Sequence, residues 1–231
     1  MQSGQGIEFS GVKLWPTMIF SARWEEIDRF GKPLIEHLIE LKSRQANPIE
    51  SGVAVDSKSQ QGLYESNFDL FRDPHPSIVN LVGFISKAVA TGVAIANDRQ
   101  VDANSLVVEY VDSWYHISNE GGFHDAHYHH GCSWCGIFYL QVGNMGRQGS
   151  GAPNGGSRFY SPLGLGGSYR DFGNKYLHSS VDPKVEDGML LIFPSYLLHS
   201  GLPYQGNVDR IVIAFNAQIF LDQASASKLP N

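Results

Sequence analysis

The chain has 231 residues, 42% of them hydrophobic and 12% aromatic, and a net charge of −6. This length fits one domain with a sizeable core, and the acidic balance lacks the basic footprint of a nucleic-acid binder. No run approaches the ~20 apolar residues of a membrane span, and Met1 to Gly6 lack the basic-then-apolar start of a signal peptide, so the expected location is cytoplasmic.

Val12 to Phe20 reads as extended, with Pro16 keeping it from the middle of a sheet. Trp24, Ile27, Phe30, Leu34, Leu38 and Leu41 then recur at helical spacing. Gly31 and Pro33 are expected to break that stripe, with Pro33 early in the second piece. Residues 45–62 are polar and irregular. A further helix starts near Pro76 and buries Ile78, Leu81, Ile85 and Val89. Residues 1–103 therefore read as helical support, covering one side of a sheet formed by residues 104–220, within a single domain over 1–231.

From Leu106 the pattern changes to strands. Leu106 to Val111 leads to Ser113 to Ile117, and a turn follows at Gly121-Gly122. Five of the nine histidines (His116, His124, His127, His129 and His130) fall within fifteen residues. That window runs into Cys132 to Leu140, which alternates like a strand. Side chains two apart on a strand share a face, so His127 and His129 are expected to present two imidazoles side by side. His116 shares a face with Trp114, and both are candidates to line a substrate pocket. Cys132 and Cys135 form a CxxC in strand-like sequence. Their offset is expected to put them on opposite faces, as core or wall residues rather than a redox dithiol. A structural zinc site lacks the second closely spaced ligand pair.

Residues 143–156 are glycine-rich and read as a mobile loop able to close over a site, and residues 163–174 form a second such loop. Ser157 to Tyr160, Val181 to Val185, Met189 to Phe193 and Ile211 to Ile219 complete about eight short strands. Arg158 is a candidate substrate contact, with a surface ion pair as the plainer reading. The expected class is mainly β with N-terminal helices: a double-stranded β-helix, that is, a jelly roll of cupin-like form.

An open facial metal site needs three protein ligands. His127 and His129 supply two, and His199, after the apolar strand that ends at Pro194, is the best third. Arg210 follows eleven residues later. Its period-two partners Val212, Ala214 and Asn216 are mostly small, which leaves room for an anion, and the planar fork of arginine suits a carboxylate.

At these residues the chain resembles the Fe(II)/2-oxoglutarate-dependent oxygenase superfamily. The motifs are H-x-H at His127 to His129, G-x-L-x-x-F-P-x-x-x-x-H at Gly188 to His199, and R-I-x-I-x-F-N at Arg210 to Asn216. Ser113-Trp114 before the histidines and Cys135-Gly136-Ile137-Phe138-Tyr139-Leu140 after them fit as well. So do Gly155-Gly156-Ser157-Arg158-Phe159 and Ser161-Pro162. The resemblance covers residues 104–220. It implies that His127, His129 and His199 hold Fe(II) and that Arg210 pairs with the distal carboxylate of 2-oxoglutarate. It further implies use of O2, release of succinate and CO2, and hydroxylation of a small-molecule or peptide substrate. Oligomeric state stays open, a homo-oligomer included.

Three departures qualify the resemblance. His129 stands where most members carry a carboxylate, and Asp125 is the alternative ligand. Val212 stands where Ser or Thr is common, so a second 2-oxoglutarate contact must come from elsewhere: Tyr139 first, with Ser133 and Asn216 behind it. His124-Asp125-Ala126 has the H-x-A form of related halogenases, but that register misaligns the following strand. Two other readings remain. One is a cupin-like three-His dioxygenase that uses no 2-oxoglutarate. The other is a non-catalytic jelly-roll module with a structural metal.

Overall fold

The computed structural model describes residues 17–44, 62–144, 146, 151–163 and 178–222. Its strands are β1 (Phe20–Arg23), β2 (Leu63–Glu65), β3 (Leu106–Ser118), β4 (Gly122–His127), β5 (Trp134–Gln141), β6 (Ser157–Tyr160), β7 (Ser180–Val181), β8 (Met189–Pro194), β9 (His199–Tyr204) and β10 (Arg210–Leu221). Two helices, α1 (Ile27–Arg44) and α2 (Pro76–Ala96), complete the main elements. The strands form a six-stranded sheet, β1-β8-β5-β10-β3-β2, and a four-stranded sheet, β4-β9-β6-β7. Every pairing between named strands is antiparallel. The fold is a double-stranded β-helix with the helices on the outer face of the larger sheet.

β10 shows how one strand serves two layers. Ile211, Ile213, Phe215 and Ala217 join the core under the helices. The alternate residues Arg210, Val212, Ala214 and Asn216 line a pocket on the opposite face. That is the period of two expected of a strand, and all eight residues from Arg210 to Ala217 are buried. β3 pairs with β10 along its whole length, with Val111 as an extra residue between the Asn216↔Asp112 and Ala217↔Tyr110 pairs. The extra residue switches the parity of the strand. Tyr115 and Ile117 on one side of it, and Leu106, Val108 and Tyr110 on the other, thus reach the same core. The sequence read as two strands here because that bulge interrupts the alternation.

α1 runs through Gly31 and Pro33 without the expected break. An interior proline costs about 3 kcal/mol. Leu34 and Leu38, both after that proline, are fully buried, each contributing about 1.5–3 kcal/mol, so tertiary burial carries the helix across. α2 starts at Pro76 as expected and fully buries Leu81, Ile85 and Val89. By length and composition alone α2 is apolar enough to cross a membrane, against the expectation that no run of the chain is. In this fold its buried face belongs to the core cluster.

Other expectations shift at the edges. The first strand starts at Phe20 rather than Val12, and residues 12–16 lie outside the described residues. The strand expected over Val181 to Val185 is the two-residue β7. β9 was not anticipated, because His199-Ser200-Gly201-Leu202-Pro203-Tyr204 contains glycine and proline. In the loop 143–156, residues 145 and 147–150 lie outside the described residues. Its described ends are tied down, since Asn154 Nδ2 donates to the carbonyls of Asn144 and Gln205 at 2.8 Å each. The second glycine-rich loop lies outside the described residues from 164 to 174.

Gly136 sits where the core leaves no room. A Cβ there would lie 2.3 Å from Phe215 Cζ and 3.1 Å from the Leu191 carbonyl oxygen, and Phe215 is fully buried. Gly136→Ala is therefore expected to destabilise the fold by about 1–3 kcal/mol through overpacking. The denaturation midpoint should fall without a change in slope.

Candidate metal centre

Two turns bring the three histidines together. β4 ends at His127, and residues 128–133 turn back before β5. The His129 N–H donates to the Ser195 carbonyl at 3.1 Å. The Ser195 N–H donates to the Ser133 carbonyl at 3.1 Å, and Ser195 Oγ donates to the Cys132 carbonyl at 2.7 Å. The histidine turn is thereby pinned to the turn after β8, which delivers His199 into β9. β9 pairs with β4, and His127 and His199 are cross-strand partners. The expected geometry is corrected in one respect: His129 lies in the turn, not beside His127 on one strand, and it converges because Ser195 holds its backbone.

The imidazole nitrogens of His127, His129 and His199 all lie within 4.8 Å of one another. Ring centroids are 4.3 Å apart for His127–His199, 4.9 Å for His127–His129 and 5.3 Å for His129–His199. Backbone carbonyls set two of the tautomers. His199 Nδ1 lies 3.0 Å from the Leu197 oxygen, and His127 Nδ1 lies 2.7 Å from the Asp125 oxygen. With Nδ1–H donated to a carbonyl, Nε2 keeps the lone pair that a metal takes. Burial, and then the charge of His127, push His199 down to about 3, so it is neutral and ready to ligate at neutral pH. Asp125, the alternative to His129, is exposed and belongs to no ligating cluster among the described residues.

Arg210 enters the same pocket at the start of β10. It is only 6% exposed, and its Nε has no hydrogen-bond partner. No ion pair among the described residues involves it. Its guanidinium carbon lies 5.3 Å from the centroid of the Tyr139 ring. Burial pushes its pKa down, and the nearby Tyr139 and Tyr204 phenols oppose that. A buried cation without a counter-charge is costly unless an anion joins it. The donor set and the unpaired arginine thus fit a divalent metal with an anionic cosubstrate between them.

The other candidates divide. Trp114 and His116 line the pocket as expected, and the buried indole Nε1 of Trp114 lacks a partner. Tyr139 is fully buried, with its hydroxyl 2.7 Å from Ser157 Oγ. Asn216 lines the pocket but is held by the Cys135 thiol at 3.2 Å and donates to Asp112 at 3.3 Å. Ser133 lies outside the lining, and its backbone is used by Ala217 and Ser195. Arg158 also lies outside: it points away from Ser157 and Phe159 and clamps Asp182 at 2.8 and 2.7 Å, the ion pair of the plainer reading. The two cysteines are not on opposite faces. Their sulfurs are 3.7 Å apart, because Cys132 precedes β5 and the strand period does not reach it. Burial raises both thiols, which disfavours the reactive thiolate.

The structure adds residues that the sequence did not single out. Ser157 and Glu65 both line the pocket. Glu65 Oε2 is 2.7 Å from His116 Nε2. Burial raises its pKa, but the hydrogen bonds and charges of His116 and His124 outweigh that and hold the carboxylate well below the usual range. Nothing in the sequence marks Glu65, since β2 is three residues long and follows a polar stretch.

Comparison with known proteins adds the following. Residues 112–216 match a family model described as "Putative 2OG-Fe(II) oxygenase", in agreement with the resemblance seen in the motifs. No curated protein matches the chain. Among solved structures, a Pseudomonas putida prolyl-4-hydroxylase is 14% identical, with a TM-score of 0.51 over 87% of this chain and 92% of that one. AviO1 from Streptomyces viridochromogenes Tue57 is 14% identical, with a TM-score of 0.54 over 89% and 90%. SnoN, a non-heme alpha ketoglutarate dependent epimerase from nogalamycin biosynthesis, is 10% identical, with a TM-score of 0.55 over 88% and 76%. At these identities the likeness shows a shared fold.

Proposed function

We propose that this chain, whose residues 112–216 match a 2OG-Fe(II) oxygenase model, is an Fe(II)- and 2-oxoglutarate-dependent dioxygenase. The proposed reaction hydroxylates a small-molecule or peptide substrate and releases succinate and CO2. The observation that carries this reading is Arg210, a buried cation with an unpartnered Nε, opening into the same pocket as three convergent imidazoles.

In this reading His127, His129 and His199 hold the iron, which together with 2-oxoglutarate and O2 supplies the oxidising chemistry. The protein positions and shields. The Asp125 and Leu197 carbonyls orient His127 and His199 so that Nε2 faces the cavity. Arg210 clamps the distal carboxylate of the cosubstrate with its planar fork. Val212 and Ala214, small and apolar, leave space for the carbon chain and exclude water. Ser157 Oγ lines the pocket and is hydrogen-bonded at 2.7 Å to the hydroxyl of Tyr139, whose ring lies against Arg210, and this pair would supply the neutral donor in place of the Ser or Thr absent at Val212. Trp114 Nε1 offers one more buried donor to an oxygen of cosubstrate or substrate.

A three-His dioxygenase that binds its substrate directly at iron is the second reading, favoured by His129 in place of a carboxylate. Anaerobic addition of 2-oxoglutarate to the Fe(II)-loaded protein separates the two. Chelation of the cosubstrate gives a visible charge-transfer band, which should appear here and saturate at one equivalent per chain. An iron-loaded protein that shows no band and binds no 2-oxoglutarate refutes the proposed activity.

A further inference from the structure

The pocket contains a second ligating triad. Glu65 from β2, His116 from β3 and His124 from β4 bring one carboxylate oxygen and two imidazole nitrogens within 4.8 Å of one another. We propose that Glu65, His116 and His124 form a second divalent-cation site beside the three-imidazole centre, selective for a transition metal such as Mn(II), Fe(II) or Co(II).

The ligand set is two histidines and one carboxylate, the combination that suits such ions and leaves coordination positions open. Glu65 Oε2 lies 2.7 Å from His116 Nε2 and 3.8 Å from His124 Nε2. Ligands about 2.1 Å from an ion lie roughly 3 Å from each other, so the observed spacings bracket that value. The side chains are 13–16% exposed, enclosed yet reachable. The contact to His124 is the wider one, and a cation between the three side chains would take the carboxylate charge and a lone pair from each ring. His124 Nδ1 lies 3.0 Å from His127 Nδ1 and 3.3 Å from the Asp125 carbonyl oxygen, which leaves Nε2 as the nitrogen turned toward the carboxylate.

A second observation points to a ligand in the same place. Trp114 is 6% exposed, its Nε1 has no partner, and its ring centroid is 6.4 Å from that of His116. Water or a substrate oxygen on a cation held by His116 would answer that donor. The two sites are close neighbours, since the rings of His124 and His127 are 4.2 Å apart. A cation in the second site would give the substrate side of the pocket a net positive charge, and so a preference for a substrate carrying a carboxylate or phosphate.

The test is a count of metal per chain. Metal-free protein is dialysed to equilibrium against Co(II), and bound metal is measured for the wild type, His199→Ala and Glu65→Gln. The expected result is two ions in the wild type and one in each variant. The second-site affinity of Glu65→Gln should be weakened by about 100-fold or more, as loss of a direct ligand should exceed the 10–100-fold of a supporting one. His116→Asn repeats the test from another strand, and a thermal melt confirms that each variant is folded. One ion in the wild type, none in His199→Ala and no change in Glu65→Gln overturns the second site and leaves the three-imidazole centre standing. One ion in the wild type that persists in His199→Ala and is lost in Glu65→Gln supports the second site and removes the basis of the proposed function.

Discussion

His199→Ala should abolish 2-oxoglutarate-dependent succinate formation. The expected loss exceeds 100-fold, because substitution of groups that merely support metal ligands already costs about 10–100-fold. His199 is the anchor of the centre: it is 4% exposed, registered opposite His127 and packed against Phe159 and Phe193. Its burial keeps it neutral, so a metal takes its lone pair without displacing a proton. The control is His130→Ala. His130 comes from the same histidine-rich window but is exposed and touches Tyr128, so its loss should leave succinate formation unchanged. Measuring bound iron alongside turnover fixes the cause. If His199→Ala retains both iron and succinate formation, the three-imidazole centre is refuted.

Arg210→Met should move two measurements in opposite directions. Affinity for 2-oxoglutarate should fall by about 2–5 kcal/mol, the usual cost of removing one partner of a buried charged pair, or on the order of 30-fold and more in Kd. The protein without cosubstrate should become more stable by about 1–4 kcal/mol, because methionine of similar length replaces a buried charge that has no counter-ion among the described residues. An arginine with a purely structural role would show the reverse, a loss of stability with unchanged binding. Arg210→Lys should fall between the wild type and Arg210→Met in affinity, since an ammonium offers a point charge without the fork. A thermal melt with and without 2-oxoglutarate reads both effects. Unchanged 2-oxoglutarate affinity in Arg210→Met would refute the assigned role.

The pairing of stability with function at Arg210 explains why this position was legible in the sequence. An arginine opening a run of buried apolar residues is anomalous on physical grounds, and its small period-two neighbours show which face it serves. β10 buries both faces from Arg210 to Ala217, so the anomaly is not an exposed charge. His199 was legible for a related reason, as a histidine just beyond a buried strand and a tight turn. Tyr139 was legible only as a candidate second contact for the cosubstrate. Its ring lies beneath Arg210 and its hydroxyl is shared with Ser157.

What stayed hidden depends on contacts between segments far apart in the chain. Glu65 meets His116 from fifty-one residues away, through a three-residue strand paired to the end of β3. Arg158 looked like a pocket residue and is not, because Asp182 on a neighbouring segment holds it on the outer face. The sulfurs of Cys132 and Cys135 meet because the strand begins only at Trp134.

The chain alone thus indicated a jelly roll with helices on one sheet and marked His127, His129, His199 and Arg210, which meet in one pocket. The later strands and Arg210 follow from burial and periodicity, which are written locally in residue order, whereas β1 and β2 lie before and between the helices rather than after them. Tertiary structure decided that His129 reaches the centre from a turn held by Ser195, that α1 passes through Pro33, and that Glu65 joins His116 and His124. Each of these is set by a partner distant in sequence, and the energy of that contact outweighs the local preference.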